Sequence, residues 1–142
     1  MLTASNLSYR TVPRTNVCVH SLIDLLELRA MHDSGGTAYT FLTNGESAEK
    51  AISYKELDDR ARAITSRIME QAQPGDRALL LYPPGMEFLP AFFACLYGRI
   101  IAVPAYPPHR NRNLLRLLAI VRDAQPKLIL TTAGLLAKMR TA

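Results

Sequence analysis

Apolar positions along this chain follow a helical period in its first half and then change to short continuous runs. Residues 1–20 hold no sustained period and read as a loose N-terminal arm. From Ser21 onward, Leu22, Leu25, Leu26 and Arg29 fall at helical spacing. Ser21 caps this predicted helix, and Asp24 stands where a carboxylate suits the exposed amides and the positive helix end. Asp33-Ser34-Gly35-Gly36 stops it. Thr37–Thr43 then alternates and is rich in β-formers, Asn44-Gly45 is a turn signal, and Ala48–Ser53 is the expected return strand of a hairpin. Ser53-Tyr54-Lys55-Glu56 has the form of a capping box. The helix it opens carries Leu57, Ala61, Ile64 and Ile68 on one face and should run to about Gln71, ahead of Pro74-Gly75.

Beyond Asp76 the runs become continuous. Ala78-Leu79-Leu80-Leu81-Tyr82 has no polar alternation, as expected of a strand buried on both faces. Pro83-Pro84-Gly85 breaks it. Met86–Tyr97 reads as an apolar helix in which Pro90 is tolerable only near the first turn. Ile100–Val103 is a second apolar strand, ended by Pro104, and Asn113–Ala124 is a Leu-rich helix. Leu128–Thr132 is a third strand, and Ala133–Arg140 begins another helix. Short apolar strands alternating with helices imply right-handed crossovers and parallel strands. The predicted class is α/β: a partial doubly wound parallel sheet with flanking helices, and an antiparallel hairpin near the N-terminus packed at one edge of it.

Composition leaves that picture intact. With 49% apolar and 20% charged residues in 142, the chain is globular in character and near one domain in size. Its two cysteines are too few for a disulfide framework, and Cys95, inside Phe92-Phe93-Ala94-Cys95-Leu96, reads as a buried thiol. No signal peptide is visible, and the strongly apolar stretch Phe88–Val103 is interrupted by Pro90, Gly98 and Arg99 and is too short to span a bilayer. A cytoplasmic location without a membrane span is expected. The net charge is +5, carried by 13 Arg and 4 Lys. Those cations are scattered, and Arg60, Arg62 and Arg67 share a helix with Glu56, Asp58, Asp59 and Glu70. A solvated surface therefore explains them better than a nucleic-acid partner does.

Catalytic machinery is not evident. The sequence has no Gly-rich phosphate loop and no nucleophile elbow. His20, His32 and His109 lie far apart with no metal-ligand spacing, so no catalytic or metal-binding residue is predicted. Asp58-Asp59 is a carboxylate pair, but neighbouring helix positions point in different directions, and both are read as solvated surface. Two segments stand out because each follows a buried parallel strand: Tyr82-Pro83-Pro84-Gly85 and Tyr106-Pro107-Pro108-His109-Arg110. Ligands of open α/β sheets bind outside the carboxyl ends of such strands, prolines fix loop shape, and tyrosine offers an apolar face with a polar tip. Tyr82, Pro83, Gly85, Tyr106, His109 and Arg110 are accordingly the candidate substrate-binding residues; rigid turns leaving a crowded sheet would use the same residues. His109-Arg110 with Arg112 and Arg116 is the densest basic patch, suited to a phosphate, an acidic protein or simply solvent.

The run Leu79-Leu80-Leu81-Tyr82-Pro83-Pro84-Gly85, then Phe88, Ala91–Tyr97 and Ile101-Ala102-Val103-Pro104-Ala105-Tyr106-Pro107-Pro108, resembles the N-terminal part of a fatty acyl-AMP ligase, a branch of the adenylate-forming enzymes. Ile52-Ser53-Tyr54-Lys55-Glu56-Leu57 is similar to the superfamily's first core motif, and Leu96–Pro104 to its second. The doubled Tyr-Pro-Pro points to the fatty acyl branch. The resemblance covers about Ser21 to Thr132, so residues 21–142 are expected to form the N-terminal portion of a large domain. One departure is Gly98-Arg99, where the family usually has Ala-Gly.

The resemblance implies a parent enzyme that activates a fatty acid with ATP and Mg as an acyl-adenylate and passes the acyl group to an acyl carrier protein, as at the start of polyketide assembly. It also implies that the phosphate loop, the Mg-binding Glu and a catalytic Lys lie in further residues. The 142 residues alone are therefore expected to bind neither cofactor, to be inactive, and to self-associate through an open sheet edge. Two alternatives stand beside this: a stand-alone interaction or regulatory module that keeps the half-fold, or the corresponding part of another adenylate-forming enzyme such as an acyl-CoA synthetase.

Overall fold

A computed structural model describes residues 18–43, 45, 49–108 and 114–140. The elements are α1 (Leu22–His32), β1 (Thr37–Leu42), β2 (Glu49–Ser53), α2 (Tyr54–Met69), β3 (Arg77–Leu81), α3 (Phe88–Tyr97), β4 (Ile101–Ala105), α4 (Leu114–Ala124), β5 (Leu128–Thr131) and α5 (Ala133–Arg140). The parallel sheet has the order β4-β3-β5, with Leu81 opposite both Ala105 and Thr131. The chain steps from β3 to β4 on one side, then crosses back over β3 to reach β5. Right-handed crossovers in opposite directions put α3 and α4 on opposite faces. The core divides accordingly. Ala78 and Leu80 pack with Ile68, Ala91, Ala94 and Cys95 of α2 and α3, whereas Leu79 and Leu81 pack with Leu117 of α4. The continuous apolar run of β3 is thus a strand covered on both faces, and Cys95 is buried with its thiol pushed up to about 11 by that burial.

Small residues allow α2 and α3 to come close: Ala61, Ala91 and Ala94 are completely buried. The Thr65 hydroxyl donates both to the Ala61 carbonyl in its own helix (2.8 Å) and to that of Ala94 in α3 (3.2 Å). The antiparallel hairpin β1/β2 forms a sheet of its own. Its apolar residues Ala38, Phe41 and Ile52 join a cluster supplied by α1, α2, α3 and Met86 and by no strand of the parallel sheet. It therefore packs on helices, which corrects the expected position at the sheet edge. Asn44 and Ala48 lie outside the described residues, as does the arm through residue 17.

Three local readings change. The capping box is complete at Ser21, where Asp24 accepts from the Ser21 amide (3.0 Å) and the Ser21 hydroxyl from the Asp24 amide (3.1 Å). Amides of His20 and Ser21 on the Asp24 carboxylate hold it below its usual range. At Ser53 only the hydroxyl half forms, with Glu56 donating its amide at 3.2 Å; the Glu56 carboxylate turns to Arg60 (2.5 Å) instead. Pro104 does not end β4 but lies inside it, opposite Leu80. An edge strand tolerates proline because the missing N–H can face the unpaired side, and β4 is such a strand here.

The Gly98-Arg99 departure also has a definite geometry. Gly98 stays helical (φ −77°), and Arg99 takes the left-handed conformation, φ 55°. A Cβ at Gly98 would sit 3.2 Å from the Met69 sulfur and 3.3 Å from Ile100, so the small residue matters for packing there, while the side chain of Arg99 is exposed. Left-handed backbone costs a non-glycine residue about 1 kcal/mol. Arg99→Gly should therefore raise the unfolding free energy by about 0.5–1 kcal/mol, measured by urea denaturation; a loss of stability would mean that the Arg99 side chain holds the turn.

Candidate functional site

Because β3 and β4 are parallel neighbours in register, the loops that follow them leave the sheet side by side. Tyr82, Pro83, Pro84 and Gly85 form one wall of a cavity of about 350 Å³; Pro104, Ala105 and Tyr106 form the other, with Leu80 and Phe88 between them. Four of the six sequence-predicted residues (Tyr82, Pro83, Gly85 and Tyr106) are thus brought to one cavity. His109 and Arg110 lie outside the described residues. Phe88 was not singled out for the site. Its signal was position: the first residue of α3 follows the Pro-Pro-Gly turn and has to lie at the carboxyl end of the sheet. Pro104 and Ala105 join because β4 is longer than its proline suggested.

The walls are apolar apart from the tyrosine tips. Tyr82 meets Phe88 edge-on (6.3 Å between centroids), and Phe88 stacks on Phe92 (5.9 Å), so the cavity floor continues as an aromatic ladder along α3. Tyr106, part of the lining, is 77% exposed. Its other side borders a smaller cavity of about 130 Å³, lined also by Arg116, Leu117 and Ile120 of α4. Burial, with smaller contributions from Cys95 and Glu87, pushes the Tyr82 phenol up to about 12. A folded pKa above the free value of about 10 favours the neutral phenol, so its stabilisation is complete below pH 10 and is lost as pH rises from about 10 to about 12. The stability of the protein should fall across that window, and Tyr82→Phe should flatten the fall. An unchanged slope would mean that Tyr82 is solvated in the fold.

This arrangement can hold an elongated apolar group, and among the described residues its lining has no carboxylate, imidazole or amine to act on it. Among the described residues no cluster of three His, Cys, Asp or Glu could hold a metal ion, and the cavity walls offer no cation to a triphosphate. No helix among the described residues is long and apolar enough to cross a membrane.

The carboxylate pair proves to be two different groups. Asp59 is exposed and pairs with Lys55. Asp58 is 8% exposed, contrary to the solvated reading, because α1 and α3 close over its side of α2. It accepts from the Tyr97 hydroxyl and from Nε of Arg62 (3.0 Å), and Arg62 extends to Glu27 of α1 (2.6 Å) while lying 4.5 Å over the Tyr97 ring. Burial first, then the carboxylate acceptor, raises the Tyr97 phenol above its usual range. This network lies on helices, away from the cavity, and ties α1, α2 and α3 together.

Residues 26–142 match the family described as AMP-binding enzyme. The chain belongs to that family. Among its relatives, the medium-chain-fatty-acid–[acyl-carrier-protein] ligase JamA of Moorena producens is 50% identical over 78% of this chain and 19% of that protein. The long-chain-fatty-acid–AMP ligase FadD32 of Mycobacterium marinum is 39% identical over 67% of this chain and 16% of that protein. The crystal structure of a fatty acyl-adenylate ligase from Legionella pneumophila, in complex with acyl adenylate and pyrophosphate, superposes with a TM-score of 0.77 at 39% identity, covering 83% of this chain and 21% of that one. The chain spans about a fifth of the length of the curated relatives it matches. The resemblance to fatty acyl-AMP ligases read from the Tyr-Pro-Pro runs agrees with these similar proteins, and the partial α/β fold agrees with it.

Proposed function

We propose that this AMP-binding chain works within a ligase that activates a fatty acid with ATP as an acyl-adenylate and hands the acyl group to an acyl carrier protein. In this reading, residues 21–142 are the first portion of the large domain and 1–20 an arm ahead of it, in the cytoplasm. The loops Tyr82–Gly85 and Tyr106–Arg110 wall the path of the acyl chain or of the carrier's pantetheine arm. The observation that carries the proposal is the apolar cavity between the carboxyl ends of β3 and β4, whose aromatic and proline walls suit an alkyl chain. The names of the similar ligases support the substrate and acceptor classes.

Neither loop supplies a base, since a carboxylate needs none in order to attack phosphorus. The role of the loops is to exclude water and to orient. The test uses a full-length ligase carrying these residues. Tyr106→Ala and His109→Ala should raise the KM for fatty acid or carrier protein about five- to tenfold, the equivalent of about 1–1.4 kcal/mol, with the melting temperature nearly unchanged. A lowered melting temperature with unchanged kinetics would make the loops structural turns only.

A further inference from the structure

We draw no further inference here: the strongest candidate, the outer face of α4 where Leu115 and Leu118 stand exposed beside Arg122, carries nothing, because nothing in the structure shows what covers it in a chain that spans about a fifth of the length of its relatives.

Discussion

Leu80→Ala is expected to destabilise the protein by about 3–4 kcal/mol, the largest single effect foreseen here. Leu80 is fully buried at the centre of the middle strand, and its neighbours are Ile68, Ala91, Ala94 and Cys95. Three of those four are small, and two helices already in close contact hold them. Nothing nearby can move in to fill the vacated volume, so the lost transfer free energy and the cavity cost add. Leu79, equally buried, faces the other way, onto α4. That layer is one helix whose outer side is bare, so it can settle inward, and Leu79→Ala should cost about 2–3 kcal/mol. At the half-exposed Ile129 of β5, truncation to alanine should cost less than about 1 kcal/mol. Urea denaturation with an unchanged m-value checks the series. Equal losses for Leu79 and Leu80 would mean that α4 is as firmly seated as α3, and a loss at Leu80 below about 1 kcal/mol would contradict a two-sided core.

The contrast between Leu79 and Leu80 shows how the fold was legible in the sequence. An unbroken apolar run of five residues has no exposed face, so Ala78–Tyr82 had to be a strand with helices on both sides. The alternation of strands with helices then supplied the direction of the strands. Pro104 sits inside β4 because the rule that proline ends a strand fails at an edge, and no local signal says which strand is the edge. The order β4-β3-β5 is set by two crossovers and appears only when they are complete. The cavity was legible because carboxyl ends of parallel strands converge, which brought Tyr82, Pro83, Gly85 and Tyr106 together. The charge of α4 was visible only as a basic patch, since pairing and exposure are properties of surfaces, not of sequence neighbours.

Asp58 and Asp59 make the second large prediction, because two identical adjacent residues should respond very unequally. Asp58→Ala is expected to cost about 2–3 kcal/mol, and Asp59→Ala less than about 0.5 kcal/mol. Asp59 lies in water with Lys55, both more than half exposed, where an i,i+4 pair contributes little. Asp58 accepts from Tyr97 and Arg62 in a nearly closed space between three helices. Removing it leaves the Tyr97 hydroxyl without its acceptor, while Arg62, half exposed, keeps Glu27 and still donates to the Tyr97 hydroxyl oxygen at 3.2 Å. The half exposure of Arg62 keeps the cost below that of breaking a fully buried ion pair. Asp58→Asn preserves the shape and one acceptor, and should recover about half of the loss. Tyr97→Phe removes the donor but leaves the carboxylate with Arg62, and should cost about 1 kcal/mol. Chemical denaturation of the four variants provides the check. Since Asp58 joins α2 to α3 through Tyr97 and to α1 through Arg62, Asp58→Ala should also loosen α1 first, seen as faster amide exchange at Leu26 and Ala30 than at Leu80. Equal responses at Asp58 and Asp59 would place both carboxylates in solvent and leave α1 held by Leu26 and its apolar neighbours alone.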